Sequence, residues 1–461
     1  MVPNETIILQ DICRKELDFG LYDIKIDDVS VYFFIRRYVR ECLLREKGVV
    51  VMHGTTPRKH LAIIGSAFVS LFQLGRLFLG SHKYPTLFVS FPRIDKIGDL
   101  YVDKFTDPLI AQCFKREEYL IYEHGLGGYH QKNRDHKDQI LYAEAIDVYR
   151  EMLTSLFYRC FVKRHSESFD QLVSRLKEAF GKEFGRLELG RMVYSFLVSV
   201  RCKRALLRHL SAERVIGPSR DYLIDYTVAA HQTHLKVFEL QHGVTYGESV
   251  MYSGYHDELF TPDAFLSFGH NKPSDVYGIG EDRMAVIGWA FQDYIAHLPH
   301  KETYGEKDVL VISDPEVTES IFRAVVYLAD RNPSTTFFIR PHPHEQISEQ
   351  QMDLIRHYGN IRIQDKRINI AVVLQGFRHV VGENSTVLYE ALAVNKKVGR
   401  LYFEGLNPKY LEESDRECFW EIHNQSEFEA FLASDVSARK SKSIYAPFDK
   451  DLFEKVVGLP S

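Results

Sequence analysis

Four short runs of this chain bring together residue types that do phosphate and acid–base chemistry. The first is Arg340-Pro341-His342-Pro343-His344-Glu345. Two prolines stiffen it and reduce the entropy lost on binding. His342 is suited to donate a hydrogen bond to a phosphate or to stabilise a departing one, with Arg340 pairing beside it. The plainer reading is a rigid turn with solvated histidines. The second run spans Gly382 to Leu392, where a glycine turn leads through Asn384, Ser385 and Thr386 into a helix. Backbone N–H groups and two hydroxyls there form a phosphate cradle, and Glu390 can accept a ribose hydroxyl. The plainer reading is an ordinary helix cap. The third run is Tyr122-Glu123-His124-Gly125-Leu126-Gly127-Gly128-Tyr129. Glu123 is a candidate general base, with His124 as the alternative, and three glycines let a substrate approach the backbone. Otherwise it is a flexible loop with a capping acid. The fourth spans Glu239 to Gly247 and carries Gln241, His242 and Gly243. His242 either faces an acceptor or is a satisfied histidine in a tight turn. His53-Gly54 repeats the pattern more weakly and reads as structural.

The elements that must position these runs alternate between strand and helix. Gly48–Met52, Thr86–Ser90, Tyr119–Tyr122, Arg214–Gly217 and Leu235–Leu240 read as strands, with a helix from Asp221 to Ala230. Ala285–Gly288, Asp308–Ser313, Thr335–Arg340, Ile361–Gln364, Arg378–Val381 and Lys397–Tyr402 form a second cycle. Such alternation predicts parallel βαβ layers, hence an α/β chain of two Rossmann-like domains. The expected division is a helical preface at 1–47, a first domain at 48–283 with a helical insert at about 137–210, a second domain at 284–440, and a C-terminal helix at 441–461 packing back across the joint. Ligands of open parallel sheets bind beyond the carboxyl ends of the strands, and all four runs fall at such ends. Leu61–Gly80, the most lipid-like stretch, reads as a buried first helix of the α/β domain, with membrane contact as the alternative.

Length and charge agree with this plan. The chain has 461 residues, 45% hydrophobic and 26% charged, which suits two or three domains and excludes a disordered or fibrous protein. With 58 basic and 63 acidic residues it lacks the basic excess of a nucleic-acid binder. Six dispersed cysteines read as reduced thiols. The N-terminal residues mix charge and show no signal-peptide core. These features place the chain in the cytoplasm, or at the inner face of the cytoplasmic membrane. Arg36, Arg37, Arg40 and Arg45 on the helix predicted at Val29–Arg45 form either a basic membrane-docking surface or a solvated face. No GxxxxGK[ST] loop, HExxH or GxSxG is present. Asp449-Lys450-Asp451 reads as capping and surface charge. No metal or cofactor is expected.

Taken in order, Glu123-His124-Gly125, His342-Pro343 and Ser385-Thr386 resemble the motifs of GT-B glycosyltransferases. More narrowly, they resemble bacterial sialyltransferase-, polysialyltransferase- and Kdo-transferase-like enzymes of capsule and lipopolysaccharide assembly. His124 stands where that family has a second acid. The chain is also similar to CDP-glycerol glycerophosphotransferases, which carry a His-Gly loop in one domain and a His-Pro loop in the other. The resemblance implies metal-independent transfer from a nucleotide-activated sugar, CMP-linked by preference, to a hydroxyl of a glycan or lipid-linked glycan. Glu123 or His124 would deprotonate the acceptor, while His342, Ser385 and Thr386 would hold the donor phosphate. The alternatives are a CDP-glycerol, CDP-ribitol or phosphoribosyl-donor transferase, a sugar-nucleotide epimerase, and a non-catalytic carbohydrate-binding subunit.

Overall fold

The structure is a computed structural model. It describes residues 5–48, 60–80, 83–92, 94–243, 249–269, 277–297, 304–343, 345–410, 413–434 and 445–459. Residues 49–52 of the strand expected at Gly48–Met52, His53 and His344 lie outside the described residues, as does the run after Gly243.

Helix α1 (Glu5–Asp18), the hairpin β1 (Lys25–Ile26)–β2 (Val29–Ser30) and α2 (Tyr32–Glu46) lead to α3 (His60–Leu79) and β3 (Thr86–Val89). A second hairpin follows, β4 (Ile94–Ile97) with β5 (Leu100–Asp103), then α4 (Asp107–Cys113), β6 (Tyr119–Glu123) and β7 (Ile140–Tyr142). Three long helices, α5 (Glu144–Arg164), α6 (Ser166–Phe180) and α7 (Arg186–Leu210), precede β8 (Arg214–Pro218), α8 (Arg220–His231), β9 (Lys236–Leu240), β10 (Ala264–Ser267) and β11 (Met284–Val286). The first sheet has seven strands in the order β11-β10-β9-β8-β3-β6-β7, every pair parallel.

The second sheet contains β12 (Val309–Ile312), β13 (Phe337–Arg340), β14 (Ile361–Ile363), β15 (His379–Gly382), β16 (Lys397–Leu401) and β17 (Trp420–Ile422). Its order is β14-β13-β12-β15-β16-β17, again all parallel. The strands are short apolar runs buried throughout β12 and β15, as a parallel sheet covered on both faces requires. Two parallel sheets with helical layers make the two-domain α/β architecture of the GT-B class.

The hairpin β4–β5 joins the halves. Ile97 and Val102 belong to the first half in sequence, yet pack in one core with Leu388, Tyr389 and Val380 of the second. The helix Lys450–Val457 buries Phe453 with Phe88, Phe114 and Ile121 of the first half.

Four expectations are revised. Met284–Val286 pairs with β10, so the first sheet extends past residue 283 and the second begins at Val309. The 137–210 insert starts with a strand, β7, before its helices. The helix at Leu61–Gly80 is not buried: Phe68 and Phe72 are 70% and 68% exposed. The arginine face of α2 is only half a surface: Arg36 and Arg40 are buried. Arg40 is 0% exposed, with Nε and Nη2 donating to Glu16 at 2.7 and 2.6 Å. Arg36 donates to the carbonyls of Met251 and Tyr255, and Arg37 to Glu41 and Asp221. A guanidinium this deeply placed persists only when paired, and acceptors far along the chain supply the pairing. Arg37 and Arg45 are exposed, Arg37 held by its two carboxylates and Arg45 loosely paired, 3.9 Å from Glu41.

Candidate active site

At the carboxyl end of β6 the chain places two adjacent side chains on opposite duties. Alternation along the strand turns Glu123 into a buried network and His124 toward a partly open edge. Glu123 Oε1 meets His130 Nδ1 at 2.9 Å, and Oε2 accepts from Arg134 Nε at 2.7 Å. Burial, the largest influence, works against ionising Glu123, but His130 and Arg134 outweigh it and hold the carboxyl below its ordinary range. His130 Nε2 lies 2.9 Å from Glu144 Oε2, so both ring nitrogens face carboxylates. Burial opposes its charge, but the hydrogen bonds it makes to the Glu123 and Glu144 carboxylates override burial and raise its pKa above 6.5. Its ring stacks on Tyr142 with centroids 3.4 Å apart. A carboxylate ionised, buried and committed at both oxygens is poorly placed to take a proton.

His124 differs. Its Nδ1 lies 3.0 Å from Asp147 Oδ2, and its other ring nitrogen makes no hydrogen bond to the described residues. Burial disfavours the charge on Asp147, but His124, Arg150 and Lys203 reverse this and hold its carboxyl down at about 2. A carboxylate held ionised near neutral pH on Nδ1 fixes the imidazole and leaves Nε2 as the outward acceptor. Glu144 and Asp147 stand three residues apart on the first turn of α5, on one face. Glu144 also accepts from the Gly125 N–H at 2.9 Å. The first turn of α5 thereby pins the whole His124 loop. Sequence reading missed Asp147, Glu144 and His130; the i, i+3 acids opening a helix directly after a strand were the available signal.

The glycines of this loop serve geometry. Leu126 and Tyr129 exchange backbone hydrogen bonds across a two-residue turn in which Gly127 and Gly128 have φ of +63° and +92°, the conformation that favours glycine. A Cβ on Gly128 would stand 2.5 Å from Ile63 Cγ1 and 2.8 Å from Ile63 N.

A row of rings links this loop to the end of β9. Tyr222 lies 5.5 Å from His124, Phe91 5.8 Å from Tyr222, and His242 5.6 Å from Phe91. The His124 and His242 loops thus border one edge, although three strand spacings separate β6 from β9. Near His124 the hydroxyls of Tyr122, Tyr222 and Tyr226 are buried with no hydrogen-bond partner among the described residues. Gln241 is structural: its Oε1 accepts from Phe268 N at 3.1 Å and its Nε2 donates to the Gly243 carbonyl at 3.1 Å. Glu239 is buried on Arg220 and Tyr252. Tyr122 and Tyr389 are buried, so neither offers a stacking face. Tyr129 is exposed, and Tyr246 lies outside the described residues.

In the second sheet β13 and β15 flank β12, which brings the His342 and Ser385 loops to the same carboxyl edge, roughly 10 Å apart at two strand spacings. The His342 loop is held by Glu345, whose Oε2 accepts from His342 N at 2.8 Å and whose Oε1 accepts from Ser313 and Thr318. Arg340 does not reach into the edge. Its guanidinium donates to the carbonyls of Asp365, Lys366 (3.1 Å) and Ile368 (2.6 Å). Asn384 is likewise engaged: Oδ1 accepts from Lys409 N at 2.6 Å. Ser385 Oγ accepts from Val387 N at 3.3 Å. Thr386 is exposed, and its side chain forms no capping bond. Glu390 looks toward the first half. Burial raises its pKa, Lys104 of that half opposes this and Asp95 reinforces it, and Tyr445 hydrogen-bonds to it.

His124 and His242 line one carboxyl edge and His342, Thr386 and Glu390 the other, and Glu390 senses Lys104 and Asp95 of the first half. A surface pocket of about 500 Å³ lined by Arg116, Tyr119 and residues 133–139 lies away from them.

No family model matches the chain, and no curated protein matches it. Among solved structures, the UDP-GlcNAc 2-epimerase from Neisseria meningitidis bound to UDP-GlcNAc is similar over 76% of this chain and 90% of that one, at 13% identity and TM-score 0.45. The UDP-GlcNAc 2-epimerase from Methanocaldococcus jannaschii is similar over 81% of this chain and 98% of that one, at 9% identity and TM-score 0.45. The crystal structure of TarM is similar over 51% of this chain and 50% of that one, at 11% identity and TM-score 0.32. At these identities and scores the likenesses assign neither substrate nor reaction to this chain.

Proposed function

We propose that this chain is a glycosyltransferase that moves a sugar from a nucleotide-activated donor to a hydroxyl of a bacterial surface glycan or lipid-linked glycan, working at the inner side of the cytoplasmic membrane. The observation that carries the proposal is the His124–Asp147 pair at the carboxyl end of β6. It supports a general base whose outward nitrogen has no other protein partner among the described residues. Nε2 of His124 removes the proton of the acceptor hydroxyl, and the acceptor oxygen forms a bond to the anomeric carbon. The bond from that carbon to the donor phosphate oxygen breaks, and the phosphate leaves with the electron pair. His342 and Thr386 stabilise the phosphate, and Glu390 accepts a hydroxyl of the nucleotide ribose. Donors and charges set in advance against a developing oxyanion are worth about 100-fold or more in rate.

Glu123 serves the base by position. It holds His130, which braces Glu144 and with it the loop of His124. Buried tyrosine hydroxyls near His124 that have no hydrogen-bond partner among the described residues favour a ligand rich in hydroxyl groups, because buried polar atoms seek partners.

The donor we propose first is CMP-linked, of sialic or Kdo type, on the order of the Glu123-His124-Gly125, His342-Pro343 and Ser385-Thr386 runs alone. A thermal-shift panel of CMP, CDP, UDP, UMP, GDP and phosphoribosyl pyrophosphate tests it. Stabilisation by CMP is expected. Stabilisation by UDP or GDP alone overturns the donor, and by none of them overturns the site. Mass spectrometry of donor with enzyme separates transfer from epimerisation, since an epimerase converts donor without acceptor.

A further inference from the structure

Helix α3 is amphipathic in the reverse of the usual sense. Its polar residues Ser66, Ser70 and Gln73, spaced as one helical stripe, face the protein. Ser66 Oγ donates to the Gly128 carbonyl at 2.7 Å, and Ser70 Oγ to that of Tyr142. Gln73 donates to the Ile140 carbonyl at 3.0 Å and accepts from Tyr142 N at 2.9 Å. The opposite face presents Leu61, Ile64, Phe68 and Phe72 to water, and neighbouring α5 adds Met152 and Leu156. At about 200 Å² per side chain, exposures of 70% and 68% leave roughly 280 Å² on the two phenylalanines alone, already close to the lower end of the largest patch on a typical monomer.

Length and composition would let Leu61–Leu79 cross a membrane. Hydrogen bonds at Ser66, Ser70 and Gln73 instead tie the middle of the helix along the protein, which fits a helix lying in the plane of a lipid surface. Charge selects the partner. In a chain with 63 acidic residues, α3 contains none, and α5 from Met152 onward carries Arg159, Lys163 and Arg164 with none. Two copies meeting through this face would bring like charges together, whereas an anionic lipid surface meets both the apolar side chains and the cations.

We propose that the face formed by α3, the outer side of α5 and the turn at Leu126–Tyr129 docks this protein on an anionic phospholipid bilayer. Leu126 and Tyr129 are exposed beside Ile63 and Ser66, and the same loop begins at His124. Docking therefore sets the proposed base at the lipid surface, where a lipid-linked acceptor presents its hydroxyl. That last step rests on the proposed transferase reading; the docking does not.

The test is co-sedimentation of the full chain with vesicles of phosphatidylcholine alone or mixed with phosphatidylglycerol. Binding is expected to rise with phosphatidylglycerol and to fall about 10-fold or more in Phe68→Asp/Phe72→Asp and in Arg159→Glu/Lys163→Glu, with the melting temperature kept because these side chains are exposed. Equal binding of variants and native chain overturns the proposal. So does absence of binding to both vesicles, including the case where the native chain forms a concentration-dependent dimer that the same substitutions abolish. His124→Ala is expected to sediment like the native chain, so failure of the transferase reading and failure of docking are read separately.

Discussion

The imidazole of His124 and the carboxylate of Asp147 meet at 3.0 Å although 23 residues separate them. One ends a strand and the other lies on the first turn of the helix after the next strand, so parallel pairing of β6 with β7 brings them together. An ionised carboxylate on one ring nitrogen decides which nitrogen is left to accept a proton.

His124→Ala is expected to reduce turnover by ~10²–10⁴-fold with the melting temperature nearly unchanged. Asp147→Asn removes the orienting charge and is expected to cost roughly 10- to 1,000-fold, chiefly in kcat. Steady-state kinetics of both variants check this. If His124→Ala retains native turnover, His124 is not the base.

His130 sets a pH limit on stability. Its pKa is raised in the folded chain, so its contribution is complete below the ordinary histidine value of 6.5 and is lost as pH rises through the folded value. Urea unfolding from pH 6 to pH 9 is expected to show falling stability in the native chain and a shallower fall in His130→Gln. Glu123→Gln leaves Arg134 and His130 without their shared anion and is expected to cost about 3 kcal/mol. A loss of activity in proportion to unfolding would mark Glu123 as positioning; the native fold with activity abolished would mark it as catalytic.

Arg340 is expected to report on stability rather than on donor affinity. Arg340→Leu strands three carbonyls of the 365–368 loop and should destabilise the second half by about 2 kcal/mol or more. Calorimetric titration with the stabilising nucleotide should show a similar Kd in the variant. A Kd raised 100-fold with unchanged stability would place Arg340 on the donor phosphate.

Glu390 is expected to act in the opposite way. Glu390→Gln should weaken nucleotide binding about 10-fold, the scale of one hydrogen bond to a charged group, while urea unfolding stays close to native.

Gly128→Ala combines a positive φ with an approach to Ile63 backbone and side chain. It is expected to lower the melting temperature, detach the turn from α3 and reduce turnover. Gly359→Ala serves as the control, since a Cβ there meets nothing within 4 Å.

Much of the scaffold was legible in local patterning. Short apolar runs ending in glycine or polar loops marked Thr86–Val89, Lys236–Leu240, Phe337–Arg340 and Lys397–Leu401 within a residue or two, because a strand buried on both faces must be mostly apolar. Their alternation with helices fixed parallel sheets and put His124, His242, His342 and Ser385 at carboxyl edges. Residue type alone could not divide labour between Glu123 and His124, or separate a phosphate ligand from a loop clamp at Arg340. Those outcomes depend on which acceptors distant segments deliver: Asp147 and Glu144 from α5, and three carbonyls after β14. The same holds for the two cationic and apolar helices. Arg40 on α2 is buried because Glu16 and Tyr22 close over it, while apolar α3 is turned outward because its serines and glutamine find partners on β7 and at Gly128. Composition set what each helix could bury; only tertiary pairing of polar groups, whose desolvation must be repaid by hydrogen bonds, decided which face each turned to water.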